Sequence, residues 1–159
     1  RVEEVEVGNL LDRMCERLRK RAEEAGMELR CEVPQELACR ILKTDTTAVE
    51  QIMFNLVDNA SKYAAADMDG SEGNVITLRA IDRGKQIIFQ MHDQGPGIAA
   101  AERKKLFRAF HKSAQEAAHS KPGVGLGLAL CRRLARALGG DLRVVDSAQG
   151  ACFELVLGH

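Results

Sequence analysis

Asn55, Asn59 and Lys62 are spaced by four and three residues. At about 100° of helical rotation per residue they line one narrow stripe of a helix, beside an apolar face made by Val49, Ile52, Met53, Leu56 and Ala60. Asparagine is a poor residue for a helix interior, because its amide competes with the backbone for hydrogen bonds. An apolar-flanked pair must therefore be satisfied at the edge of a core or must bind something. An amide oxygen is a hard ligand suited to Mg²⁺, and a lysine one turn on can meet phosphate as a point charge. A second group lies in "MHDQGPGI", where Asp93 stands at the end of a strand-like run and Gly95 and Gly97 follow. That carboxylate can accept a hydrogen bond from an exocyclic amine such as that of adenine, with the glycines leaving room for a flat ring; it can equally start a turn. A third group, "GVGLGL", sets Gly123, Gly125 and Gly127 where a helix begins. Unpaired N–H groups and partial positive charge at a helix start attract anions, and glycines let a phosphate approach the backbone. Small residues there also allow tight packing, so the glycines alone leave both readings open.

Two common phosphate-binding motifs are excluded. A Walker loop closes on Gly-Lys-Ser/Thr, whereas Lys121 precedes these glycines. A dinucleotide fingerprint follows a strand directly, whereas the preceding residues here are the polar "HKSAQEAAHSKP". The 23 basic residues balance the 23 acidic ones, so no net field draws the chain to nucleic acid or an anionic membrane. Aromatic residues make up 4% with no Trp, too few for a base-stacking platform. Cys15, Cys31, Cys39, Cys131 and Cys152 are scattered without a CxxC pair, which suits buried thiols in a reducing compartment better than disulfides or zinc ligands. The 159 residues, 45% of them hydrophobic, suffice for one core, and the expectation is a single domain over residues 1–159.

The elements that must position these groups follow from periodicity. "VEEVEV" alternates as a short strand, with Asn9 a plausible cap for a helix on which Leu11, Cys15, Leu18, Ala22 and Ala25 recur, closed by Gly26. "MELRCEV" reads as a strand ended by Pro34, and another short strand is expected around Arg40 and Leu42. The asparagine-bearing helix starts near Thr46, capped by Asp45 or Thr46, and runs to about Ala66. "VITLRAI" and "QIIFQMH" form a hairpin across "DRGK". Leu126, Leu130, Leu134 and Leu138 mark a third helix ending at "GG", before a strand pair "DLRVVD" and "CFELVL". The fold class is α+β: a two-layer α/β sandwich with a mixed sheet of about five strands covered on one face by three helices. Between the hairpin and the third helix, residues 93–122 form a long, largely polar connection expected to be mobile, and connections of that length are usually functional.

Taken in order, "NLVDNASKYA", "DQGPGI", "LFRAF" and "GVGLGLAL" resemble the asparagine box, first glycine box, phenylalanine box and second glycine box of the GHKL (Bergerat) ATP-binding fold. "DTTAVEQIMFNLVDNASKYA", the short "LFRAF" and the closing "GACFELVL" are similar to the version found in sensor histidine kinases, and the resemblance spans residues 5–157. Four ordered motifs are far more specific than any one, and they favour the binding reading of all three groups. The resemblance implies ATP and Mg²⁺ as cofactors. Asn59 would coordinate Mg²⁺ and Asn55 would support that site, with Asn55, Asn59 and Lys62 serving catalysis. Lys62 would meet phosphate, and Tyr63 would lie against the sugar or base. Asp93 would read the adenine amine in a pocket shaped by Gly95 and Gly97. Residues from about 99 to 122 would form a mobile lid hinged on Phe107 and Phe110, from which Arg108 and Lys112 would contact phosphate, and the backbone from Gly123 through Val124, Gly125 and Leu126 to Gly127 would turn over the phosphates. ATP-hydrolysing members carry a glutamate one turn before the metal-binding asparagine. Here that position is Asn55, so hydrolysis should be poor.

A histidine kinase also needs a substrate histidine. His92, His111, His119 and His159 do not qualify: His92 closes a strand beside Asp93, His111 and His119 fall in the lid, and His159 is the last residue. The phosphoacceptor is expected on a dimerisation helix domain outside this sequence, with a response regulator downstream. Nucleic acid and membrane contact by the domain itself are not expected. The domain is expected to be cytoplasmic, in a parent protein that membrane anchoring would suit equally. The alternative is a regulatory module of the same fold, such as an anti-sigma-factor-like serine kinase or a degenerate kinase that binds ATP only.

Overall fold

The computed structural model describes residues 1–66, 75–93, 124–145 and 152–158. The chain opens with strand β1 (Glu3–Glu6), helix α1 (Val7–Glu24), strand β2 (Glu28–Glu32), a four-residue helix α2 (Gln35–Ala38) and strand β3 (Ile41–Thr44). Helix α3 (Thr46–Ala66) follows, then the hairpin strands β4 (Val75–Asp82) and β5 (Gln86–Asp93), helix α4 (Val124–Ala137) and strands β6 (Asp141–Val145) and β7 (Cys152–Gly158). The main sheet has the order β2-β4-β5-β7-β6, with β2 and β4 parallel and the other neighbours antiparallel. β1 and β3 form a separate antiparallel pair. The mixed five-stranded sheet and three long helices are the architecture that periodicity predicts.

Strand alternation decides which face the helices cover. Ile76, Leu78 and Ala80 on β4, Ile87, Phe89 and Met91 on β5, Leu142 on β6, and Phe153, Leu155 and Leu157 on β7 all join one core. Register sets Leu78 opposite Met91, and Phe89 opposite both Ala80 and Leu155, so a continuous apolar row crosses the sheet. Against it pack Leu10, Leu11, Met14 and Leu18 of α1, Val49, Ile52, Met53, Leu56 and Val57 of α3, and Leu128 and Ala135 of α4. The opposite face carries a polar row in register: Arg79, Gln90, Glu154 and Arg143. Glu154 is buried there, accepting from Gln90 Nε2 at 2.9 Å and from Arg143 Nε at 2.9 Å. A carboxylate can sit in a sheet only when its oxygens are engaged in this way.

Several boundaries differ from expectation. α1 begins at Val7, with Glu6 rather than Asn9 at the cap position and no side-chain cap bond. Val7 N–H donates instead to Arg40 C=O at 2.9 Å, so the β1–β3 pairing, which begins after α1 in sequence, satisfies that end. α3 is capped by Asp45, whose Oδ1 accepts from Ala48 N at 3.1 Å, while the Thr46 hydroxyl donates to Glu3 Oε1 at 3.1 Å. The cysteines are mostly inside, as expected of thiols: Cys15, Cys131 and Cys152 are buried and Cys31 is partly buried with its sulfur against that of Cys15, whereas Cys39 is exposed. The packing of α1 beside β2 brings together two residues that are 16 positions apart.

α4 ends at a left-handed glycine, Gly139 with φ 85°, where Gly140 N–H reaches back to Ala135 C=O at 3.0 Å. Gly140 then passes so close to β7 that an added Cβ would lie 1.8 Å from the Val156 carbonyl oxygen. Gly140→Ala must displace backbone on one side of that contact. It is expected to destabilise the domain by about 2 kcal/mol or more, read as a lowered urea midpoint at unchanged slope. A midpoint equal to wild type would show that β7 yields freely.

Candidate functional site

α3, which carries Asn55 and Asn59, contacts both α4, whose first turns hold Gly125 and Gly127, and β5, which ends in Asp93. Asn55 and Asn59, one turn apart on α3, adjoin the core residues Leu56 and Ala60. The Asn55 amide donates from Nδ2 to Cys131 Sγ on α4 at 3.2 Å. Asn59 is 5% exposed, and its Nδ2 is buried without a hydrogen-bond partner among the described residues. An unmet buried donor costs about 1–3 kcal/mol, so Asn59 is held in a form that favours an incoming acceptor. Between Asn55 and Asn59, Asp58 faces away to the other neighbour, α1, and is fixed by Arg21 at 2.7 Å.

Asp93 ends β5 and continues the alternation of Ile87, Phe89 and Met91, so its carboxylate belongs to the helix-covered face. It pairs in register with Ile76 and is 5% exposed. A carboxylate kept on the apolar face at the end of a central strand is the feature expected of a group that reads a ligand donor. Its charge reaches the neighbouring β7 thiol. Cys152 is pushed up to about 11, chiefly by burial and then by the Glu154 and Asp93 carboxylates, with Arg79 opposing. Burial also raises the Cys131 thiol, and the Asn55 N–H partly offsets this.

The helix start read from "GVGLGL" is where α4 begins, at Val124, with Gly125 and Gly127 in its first turns. The donor set fits Mg²⁺ and phosphate: an amide oxygen is a hard ligand for the cation, and the unmet Asn59 N–H suits an anionic oxygen. Lys62 and Tyr63 lie on the later turns of α3 and Val124 and Leu126 on α4, with side chains outside the described residues. Gly95, Gly97, Arg108, Lys112, Gly123 and the lid also lie outside them, as do Phe107 and Phe110. The structure thus sets Asn55 against Cys131 of α4, buried Asn59 one turn further along α3, and buried Asp93 at the end of β5, a strand that α3 touches. Sequence reasoning passed over Cys131, because a lone cysteine on an apolar helix face carries no signal before its neighbour is known.

This layout, with an asparagine helix, a buried aspartate closing a central strand and a glycine-rich helix start, defines an ATP-binding α/β sandwich. Residues 44–159 match the family described as histidine kinase-, DNA gyrase B- and HSP90-like ATPase. Among curated proteins, the adaptive-response sensory kinase SasA of Nostoc sp. is 30% identical over 152 residues, 95% of this chain and 35% of that kinase. Among solved structures, full-length ShkA in complex with AMPPNP superposes with a TM-score of 0.75 at 30% identity, covering 98% of this chain and 30% of ShkA. The mycobacterial sensor histidine kinase MprB gives a TM-score of 0.72 at 30% identity over 98% of this chain and 97% of that one. The chain belongs to the histidine kinase-, DNA gyrase B- and HSP90-like ATPase family, as an ATP-binding catalytic domain of the sensor histidine kinase type. It spans 13% of the length of the Clostridium acetobutylicum sensor protein KdpD and 35% of SasA. Among the described residues no helix is long and apolar enough to cross a membrane.

Two outcomes follow from the burial of these groups. Asn59→Leu removes an unmet donor and is expected to leave the nucleotide-free fold as stable as wild type or up to about 1 kcal/mol more stable, measured by urea unfolding. A large loss of stability would mean that the amide has a structural partner. With a folded-state pKa of about 11 against 9.0 for an unperturbed thiol, Cys152 adds stability that is complete below pH 9 and lost as pH rises through 11. At pH 8 iodoacetamide should therefore label the exposed Cys39 and spare Cys131 and Cys152 until the protein unfolds. Rapid labelling of Cys152 in the folded protein would contradict its assigned burial.

Proposed function

We propose that residues 1–159 act as one domain that binds ATP with Mg²⁺ and transfers the γ-phosphate to a histidine on a dimerisation helix domain of the same parent kinase, on the cytoplasmic side. A response regulator would then receive the phosphoryl group in two-component signalling. The observation that carries the reading is the Asn59 amide, buried with its N–H unmet, on the helix beside the strand that ends in buried Asp93. The sensory-kinase relatives and the AMPPNP-bound neighbour support it.

Each residue has a task that its chemistry allows. Asp93 accepts a hydrogen bond from the adenine amine, and Gly95 and Gly97 shape the space around the ring. Asn59, supported by Asn55, would hold Mg²⁺, which when bound supplies positive charge across the nucleotide phosphates. Lys62 meets phosphate and Tyr63 lies against the sugar or base. The backbone from Gly123 through Gly127, which takes in the start of α4 at Val124, would offer N–H groups to the phosphates. Arg108 and Lys112 close on them from the lid. Phosphoryl transfer needs little covalent help beyond alignment and charge, and these residues supply both while leaving the nucleophile to another domain. Asn55 cannot accept a proton from water as a glutamate does, so bound ATP persists until a histidine is presented.

Two measurements test the reading. ATP should bind far more tightly than GTP, because GTP sets a carbonyl acceptor where Asp93 needs a donor. The discrimination should exceed roughly a hundredfold and collapse in Asp93→Asn; equal affinities in wild type would remove Asp93 from the site. With γ-labelled ATP, the chain alone should hydrolyse slowly and remain unlabelled, and added helix domain from its parent should gain an acid-labile, base-stable label. Stable serine or threonine labelling of the chain itself, or ATP binding with no transfer to that helix domain, would favour a regulatory module instead.

A further inference from the structure

Asn55 and Asn59 occupy equivalent places one turn apart on α3, yet their amides are treated oppositely. The Asn59 N–H is left without a partner, whereas the Asn55 N–H is given to Cys131 Sγ at 3.2 Å. A side-chain amide is planar, with its oxygen and nitrogen on opposite sides, so fixing the nitrogen against sulfur fixes where the oxygen faces. Only the oxygen end can serve a cation or accept from its hydration water. An unheld amide could rotate about its last torsion and present N–H there instead.

Cys131 is suited to hold it. Its side chain is fully buried on α4, two turns beyond the glycine-rich start at Val124, in the seam between α3 and α4. Sulfur is a weak, polarizable acceptor that tolerates an apolar setting better than a hydroxyl. The pair also ties the helix whose start faces the phosphates to the helix that carries the metal-binding amides.

We propose that Cys131 is a positioning residue for phosphoryl transfer: its thiol holds the Asn55 amide nitrogen so that the amide oxygen serves the Mg²⁺–phosphate end of the site. The proposal rests on the nucleotide and Mg²⁺ reading given above. Cys131→Val keeps the volume and removes the acceptor, whereas Cys131→Ser keeps an acceptor.

The test is calorimetric titration of the 159-residue chain with AMPPNP, once with Mg²⁺ and once with EDTA, alongside the NMR signals of the Asn55 side-chain NH₂ group. For Cys131→Val the affinity with Mg²⁺ should fall roughly tenfold, the affinity in EDTA should stay within about twofold, and the two Asn55 NH₂ protons should shift. Cys131→Ser should recover most of the Mg²⁺-dependent gain. If Cys131→Val melts too low to titrate, Cys131→Ala against Cys131→Ser carries the same comparison. A wild-type Mg²⁺ gain in Cys131→Val, equal weakening with and without Mg²⁺, or no recovery in Cys131→Ser overturns the positioning role alone. Absence of any Mg²⁺ gain in wild type overturns the underlying metal reading as well.

Discussion

A two-layer sandwich excludes water from the seam between its helices and sheet, and any polar group placed there must be engaged or left at a cost. Among the described residues the apolar interior is nearly complete; its buried polar side chains are Thr44, Thr46, Asn59, Asp93 and Glu154, with Asn55 half-buried one turn before Asn59. α3 lies against α1, α4 and β5, and those neighbours hold Asn55 and Asn59 in place.

The holding contacts are of two kinds. Apolar packing of α1, α3 and α4 against the row through Leu78, Met91, Phe89 and Leu155 supplies most of the stabilisation, since each fully buried large side chain is worth roughly 1.5–3 kcal/mol. Directional contacts then set orientation. Arg21 and Asp58 tie α1 to α3 through a partly buried ion pair, Arg132 and Arg136 donate to Asp141 where α4 turns into β6, and Asn55 reaches Cys131 across the α3–α4 seam. Burial acts to raise Asp141, but the Leu142 amide, Arg132 and Arg136 outweigh it and hold the carboxyl below its usual range. That carboxylate therefore stays charged and keeps its grip on the end of α4 at neutral pH.

The two faces of the sheet divide the work. The helix-covered face is apolar except where the site begins, and the other face carries the Arg79, Gln90, Glu154 and Arg143 row, in which a buried carboxylate is fully engaged. The contrast with Asn59 is informative. Glu154 accepts from two side chains, whereas Asn59 Nδ2 and Thr44 Oγ1 are buried without a partner among the described residues.

Much of this was legible in the chain itself. The two periodicities, 3.6 for α1, α3 and α4 and 2 for the hairpin and the closing strands, specify which residues are apolar and on which face, because local backbone geometry imposes them whatever the partner. The ordered boxes around Asn59, Asp93 and Gly125 announced the family, because four motifs in order are far more specific than any one. Pairings between distant segments were not legible. The Cys15–Cys31 contact, the Val7 to Arg40 bond that makes Asn9 unnecessary as a cap, the Arg21–Asp58 pair and the Asn55–Cys131 contact each join residues that no local pattern relates. Helix and strand periods say which way a side chain faces along its own element. What it meets there depends on which element packs opposite and in what register, and only the tertiary structure decides that.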